Sequence, residues 1–358
     1  MGRPYFRKEQ MITRSRCAVQ IIGSDKPLTE RMPLWAQQLK NALRDPRQLL
    51  DHLGLDASLL PGAQAGHALF PIRVPLAYAQ RIRPNDPHDP LLKQVLPLTQ
   101  ETDAVAGYVH DPLEEAAHRP RPGLIHKYKS RVLLIASGGC AINCRYCFRR
   151  HFPYSDNTPS RAQWLDTLDY IRTRPELNEV ILSGGDPLAS SDSRLAWLVE
   201  QLDAIPHLTR LRIHTRLPIV IPDRVDEVLL TWLRHTRLQK VMVVHVNHPN
   251  ELDNSVHQAM NRLKHAGVTL LNQSVLMRGI NDDVPTLATL SERLFAYGIL
   301  PYYLHVLDPV QGAAHFDVPD SEAVTLVAQL HLQLAGFLMP RLVREVPGQL
   351  SKTPLPQT

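Results

Sequence analysis

The chain has 358 residues, 44% of them hydrophobic, which is ample for a sizeable core and excludes a disordered polypeptide. Forty basic against 35 acidic residues leave a net charge of +5, too small and too scattered to imply nucleic-acid binding by itself. No apolar run approaches the roughly 18 residues of a membrane span, and four cysteines, three of them clustered, do not make a disulfide framework.

The first 20 residues carry Arg3, Arg7, Lys8, Arg14 and Arg16 against one acid, Glu9, without the apolar core of a signal peptide, and read as a frayed basic arm. Cys17 within it reads as a small apolar residue. From about Leu28 to Leu60 the pattern predicts helices: Trp35, Leu39 and Leu43 recur at four-residue spacing, and Leu49, Leu50 and Leu53 follow Pro46. Pro61 and Gly62 are expected to end that pair. Phe70-Pro-Ile-Arg-Val-Pro75 and Pro84-Asn-Asp-Pro-His-Asp-Pro90 favour turns and extended connections. An acidic patch runs from Glu101 to Glu115, and Pro120, Pro122 and Gly123 mark a boundary, so residues 1–120 read as a mainly helical accessory region.

Beyond the boundary, strand and helix alternate. Arg131 to Ala136 is a nearly continuous apolar run suited to a buried parallel strand, and Trp164, Leu165, Leu168 and Ile171 mark the helix after it. Five more strands are expected at Glu179 to Leu182, Leu208 to Ile213, Lys240 to Val246, Val268 to Val275 and Leu300 to Val306, each followed by a helix. Six βα units predict an α/β fold, and they are too few for an eight-stranded barrel. The expectation is an open, partial (β/α)6 barrel over residues 126–349, with functional loops at the strand carboxyl ends. Polar motifs do fall there: Ser183-Gly-Gly-Asp-Pro187, His214-Thr-Arg-Leu-Pro218, His245-Val-Asn-His-Pro-Asn250, Asn272 with Gln273, and His305-Val-Leu-Asp-Pro309.

The loop after the first of these strands holds Cys140, Cys144 and Cys147, spaced C-x3-C-x2-C. Cubane iron-sulfur clusters normally take four cysteines, so three leave one iron open to a small molecule. The alternative is a structural zinc knuckle with His151 as fourth ligand, although zinc sites usually pair their ligands and no second pair is evident. Ser183-Gly-Gly-Asp alone is a weak motif, two residues without side chains beside a carboxylate, equally explained as a turn. Lys352 sits in a proline-flanked segment, Glu345-Val-Pro-Gly-Gln-Leu-Ser-Lys-Thr-Pro354, where a lone lysine would ordinarily be a solvated charge.

The cysteine spacing, with Tyr146 before the third cysteine, resembles the signature of radical S-adenosylmethionine (SAM) enzymes. Taken with Phe70-Pro-Ile-Arg-Val-Pro, Cys147-Phe-Arg-Arg, Ser183-Gly-Gly-Asp, His245-Val-Asn-His-Pro-Asn-Glu, Asn272-Gln-Ser-Val-Leu-Met-Arg-Gly, Pro301-Tyr-Tyr-Leu-His-Val-Leu-Asp and the late lysine, the likeness is to the lysine 2,3-aminomutase family and covers most of the chain. That resemblance implies a [4Fe-4S] cluster on Cys140, Cys144 and Cys147, SAM as radical source, and pyridoxal 5'-phosphate carried by Lys352 on a tail spanning residues 350–358. It implies SAM contacts from Gly184, Gly185, Asp186, His245 and Gln273, and phosphate contacts from Lys127 and Arg131. Arg149 would bind the substrate α-carboxylate, and Asp308 with Glu345 its distal ammonium. Glu345 stands where clostridial members have aspartate, and with the short tail this resembles the bacterial branch making (R)-β-lysine for elongation factor P. The partners so implied are L-lysine, an electron donor such as flavodoxin or ferredoxin, and elongation factor P with its lysylating enzyme, in the cytoplasm; a homo-oligomer is left open, and neither nucleic acid nor membrane is expected. Two rival readings are an aminomutase acting on another amino acid and a zinc-stabilised scaffold that binds RNA or a translation factor without catalysis.

Overall fold

Parallel strands buried on both faces dictate the architecture. The structure, a computed structural model, describes residues 32–157 and 159–355; the basic arm, Cys17 and the expected helix start at Leu28 lie outside the described residues. One sheet contains β1 (Leu124–Tyr128), β2 (Arg131–Ser137), β3 (Glu179–Gly184), β4 (Arg210–Thr215), β5 (Gln239–Val244), β6 (Thr269–Val275), β7 (Leu300–His305), β8 (Arg341–Arg344) and β9 (Thr353–Pro354). The strands neighbour one another in chain order. Strands β2 to β8 run parallel, while β1 and β9 are antiparallel edges. The sheet is an open, partial α/β barrel.

The six expected strands are therefore present, and a seventh parallel strand, β8, joins them. Its arginines at both ends disguise it, because only Leu342 and Val343 are buried. Strand β3 is buried at every residue, with Ile181 and Ser183 facing the chamber inside the sheet. Helices between strands begin on side chains that accept an otherwise orphaned backbone N–H: Ser160 from Gln163, Asp226 from Leu229, Asp253 from Val256 and Asp283 from Thr286.

The amino-terminal region is helical but not as expected around Pro61. Helices Leu34–Lys40 and Pro46–Leu53 are followed by a third, Leu60–Leu69, which Pro61 and Gly62 open instead of ending a pair. Proline is tolerated in a first turn because the N–H it lacks would have no helical partner there. Leu49, Leu50, Tyr78, Leu91 and Leu92 from this region share one continuous core with Val132, Leu134, Val180 and Leu182 of the sheet. From Leu34 onward the chain is one compact unit.

A buried charge cluster joins the helical region to the segment after β2. Glu101 accepts from Arg145 Nε at 2.8 Å and Arg150 Nη2 at 2.6 Å, with side-chain exposures of 1% or less for all three residues. Removing one partner of a buried pair leaves an uncompensated charge, so Glu101→Ala is expected to lose about 3–5 kcal/mol of stability. Urea unfolding measures this; an unchanged midpoint would show that the cluster holds nothing together.

Candidate functional site

A cavity of about 550 Å³ opens at the carboxyl ends of the parallel strands. Its walls include every residue that the resemblance assigns to a cofactor or to substrate: Cys140, Cys144, Cys147, Lys127, Arg131, Arg149, Gly184, Gly185, Asp186, His245, Gln273, Asp308, Glu345 and Lys352. Lys352 arrives because β9 turns back antiparallel on β8, pairing Arg344 with Thr353. The two ends of the motif-bearing sequence thus meet in one chamber.

The cysteine loop, residues 138–153, has no regular secondary structure of its own, so its shape is imposed from outside. Arg73 Nη1 donates to the Cys140 carbonyl at 2.7 Å, and Asn143 Nδ2 to the Pro71 carbonyl at 2.8 Å. Arg145 donates its backbone N–H to the Gln94 carbonyl at 2.9 Å and its Nη1 to the Phe70 carbonyl at 2.7 Å. The proline-rich stretch is therefore the clamp of the thiol loop. Burial pushes the Cys147 thiol up to about 11, with the neighbouring Cys144 adding to it, and raises Cys140 further. Metal binding would take these cysteines as thiolates and release their protons.

Gly185 meets this loop at close range: a Cβ there would lie 2.5 Å from the Gly139 carbonyl oxygen. Asp186, expected beside SAM, has its carboxylate engaged by the protein. Its Oδ1 accepts from the Leu188 N–H and Thr215 Oγ1, and its Oδ2 from the Arg216 and Leu217 N–H groups, all within 3.0 Å. A carboxylate has about four lone-pair sites, so this one is saturated by the protein and fastens β3 to β4. Arg216, which the sequence reading left without a role, takes the place facing the thiols: Nη1 donates to Cys144 Sγ, while Nη2 is held by Gln94 Oε1 at 2.7 Å and Glu251 Oε2 at 2.8 Å. Its place in the polar strand-end motif His214-Thr-Arg-Leu-Pro218 was the available signal.

Glu345 is likewise engaged by the protein. Its Oε1 accepts from Lys127 Nζ at 2.8 Å and Tyr128 Oη at 2.6 Å, and its Oε2 from Lys352 Nζ at 2.9 Å. Burial alone would raise this carboxyl, but Lys352 with the Lys127 and Tyr128 hydrogen bonds holds it down to about 2. The carboxylate expected to take a substrate ammonium is thus engaged by three groups of the protein, and Lys127, expected at a phosphate, is one of them. Arg131 remains on the cavity wall with its guanidinium 3.9 Å from the centre of the Tyr128 ring. Asp308 is the contrasting carboxylate: it accepts no hydrogen bond from the described residues, and burial raises it to about 7 although Lys352 pulls it the other way.

Three imidazoles complete the wall. His214, His245 and His305 each have a buried Nε2 without a partner among the described residues, as does Gln273 Oε1. Burial, then Arg216 and Lys352, lowers His245 to about 4, and burial lowers the other two further, so all three are neutral at pH 7. Buried polar atoms without partners are rare in folded proteins, and here they face a chamber sized for ligands. They fit a polar, uncharged nucleoside such as that of SAM, while Arg131 and Arg341 fit a phosphate. Among the described residues no three His, Cys, Asp or Glu side chains group tightly enough for a single metal ion. His151 Nε2 donates to the Gln311 carbonyl at 3.2 Å and its ring stacks on His110, so among the described residues a zinc knuckle has no ligand set, whereas a cubane takes thiolates set wider apart.

The Radical SAM superfamily pattern matches residues 134–290. The L-lysine 2,3-aminomutase of Escherichia coli (strain K12) is 52% identical over 323 residues, which cover 90% of this chain and 94% of that protein. The protein of the same name from Haemophilus influenzae is 49% identical, covering 92% and 97%, and that from Clostridium subterminale 35% identical, covering 90% and 77%. With the thiol loop, the saturated Asp186 turn and the late lysine in a single chamber, the chain belongs to the lysine 2,3-aminomutase family of the Radical SAM superfamily.

Proposed function

We propose that this chain moves the α-amino group of L-lysine from C2 to C3, using a [4Fe-4S] cluster, SAM and pyridoxal 5'-phosphate. The observation that carries the reading is that Cys140, Cys144 and Cys147 share one cavity with Lys352 and with a free carboxylate, Asp308. When bound, the cluster and SAM supply radical initiation, and pyridoxal phosphate supplies stabilisation of a carbon radical beside the migrating nitrogen. The protein supplies position. Lys352 is the tether for the coenzyme, and Glu345 holds its Nζ in place. Arg131 with Arg341 answers the phosphate, and Gln273 with the neutral histidines forms the face toward SAM.

Arg149 is assigned to the α-carboxylate, because a guanidinium fork matches that group. Asp308 is assigned to the ε-ammonium, the one charge that separates lysine from an apolar amino acid. The rival of another amino acid substrate lacks this fit unless that substrate is also basic. We assign the product as (R)-β-lysine for elongation factor P because the segment Glu345-Val-Pro-Gly-Gln-Leu-Ser-Lys-Thr-Pro354 resembles that bacterial branch. A flavodoxin or ferredoxin in a reducing cytoplasm would suit an oxygen-sensitive cluster. The functional division we infer is an accessory region at 1–120 that shapes the thiol loop, a radical core at 126–349 and a coenzyme tether at 350–358.

Three outcomes follow from these roles. Cys144→Ala should lose bound iron and SAM cleavage after anaerobic reconstitution; a variant active without iron would overturn the radical reading. Lys352→Ala should lose the borohydride-reducible link to pyridoxal phosphate, and persistent full labelling would move the tether to another lysine. Lysine affinity should rise as pH climbs through about 7, because Asp308 must shed its proton before it can hold an ammonium. In Asp308→Asn, binding measured by equilibrium dialysis should weaken and lose that pH dependence; an unchanged profile would remove Asp308 from the site.

A further inference from the structure

The guanidinium assigned to the substrate carboxylate already carries a carboxylate of the protein. Arg149 donates Nε–H to Glu115 Oε2 at 2.8 Å and Nη2–H to Glu115 Oε1 at 2.6 Å, a two-bond grip on the side edge of the planar fork. Its Nη1 donates to Ser183 Oγ at 3.0 Å and makes a long 3.4 Å contact with the Gly184 carbonyl. An arginine has five N–H donors. Four are thereby placed, and the remaining Nη2–H lies at the end of the fork, beside the weakly held Nη1–H.

Glu115 comes from outside the barrel. It opens the short helical turn Glu115–His118, directly after Glu114 in the left-handed region at φ 50°, and Asp111 fixes the turn by accepting from the Glu115 and Ala116 N–H groups at 3.1 and 3.2 Å. Glu115 and Arg149 are both inside the protein envelope, with side-chain exposures of 12% and 8%, and both line the cavity. Burial would lower the Arg149 pKa, but Glu115 raises it, so the guanidinium stays fully charged.

We propose that Glu115 is the positioning residue of the α-carboxylate subsite: by gripping the side edge of Arg149 it leaves only the end of the fork to a substrate carboxylate. This rests on the assignment of Arg149 made above. The grip fixes a side chain with several rotatable bonds before the substrate arrives, so its ordering is complete in the free enzyme. The pair also leaves Arg149 neutralised within the cavity, so an amino acid must compete on geometry, through the end-on donors, rather than on an unmatched charge. The accessory region, which clamps the thiol loop, thus also aims the substrate anchor carried by that same loop.

The experiment compares lysine with cadaverine, which has the distal ammonium but no carboxylate, by equilibrium dialysis against the holoenzyme loaded with its cofactors. Glu115→Ala should weaken lysine on the order of 10- to 100-fold and leave cadaverine unchanged. Glu115→Asp, one methylene short of both donors, should fall between Glu115→Ala and the wild type. Equal weakening of both ligands would reduce Glu115 to a general structural role and overturn the proposal, as would unchanged lysine affinity. Tighter lysine binding would also overturn it, showing that Glu115 competes with substrate. Arg149→Gln separates the two levels: if lysine affinity survives that change, the Arg149 assignment itself fails, whereas loss there with no effect of Glu115→Ala sinks only the role of Glu115.

Discussion

The site depends on one buried carboxylate that joins the two edges of an open sheet. Strands β1 and β9 do not pair, so the barrel lacks the hydrogen-bonded seam that would close it. Glu345 bridges that gap, drawing Lys127 and Tyr128 from β1 toward Lys352 at the approach to β9. In a low-dielectric wall such an arrangement is favourable because three donors, two of them cationic, face its two oxygens, which offsets the desolvation of the charges. The extra methylene of Glu345 over an aspartate is what lets one side chain reach all three groups.

A second constraint acts on the opposite wall. The thiol loop has no secondary structure to hold it, and the bonds that shape it come from residues some 70 positions earlier in the chain: Arg73 to Cys140, and Asn143 to Pro71. Saturated Asp186 then locks β3 to β4, and Arg216 reaches from that turn to the sulfur of Cys144. The accessory helices are thus part of the site's scaffold, sharing the apolar core of the sheet and supplying Glu101 as counter-charge to two buried arginines.

Much of this was readable beforehand because its physical causes are local. Apolar runs of strand length exposed six parallel strands, and the spacing of Cys140, Cys144 and Cys147 exposed the thiol loop. Strand β8 was hidden because its two arginines break the run, and Pro61 misled because proline both ends helices and opens them. Hydrogen-bond saturation was not readable at all. Asp186 and Glu345 have the composition of ligands, yet their oxygens are filled by Thr215, Arg216, Lys127 and Lys352, partners fixed only by the fold. Glu115 stood in an acidic patch with no visible purpose until Arg149, 34 residues on, came within reach.

The bridge between Lys127 and Glu345 spans 218 positions along the chain, whereas each parallel strand pairs with its immediate successor. Contacts between near neighbours are cheap to close in entropy, and distant ones must wait until the intervening chain is ordered. The coenzyme tether is accordingly the wall whose closure spans the longest stretch of chain around the chamber. The thiol loop and its clamp close over 67 and 72 positions, so the cysteine scaffold is the more local half of the chamber and the place that holds the coenzyme the more remote one.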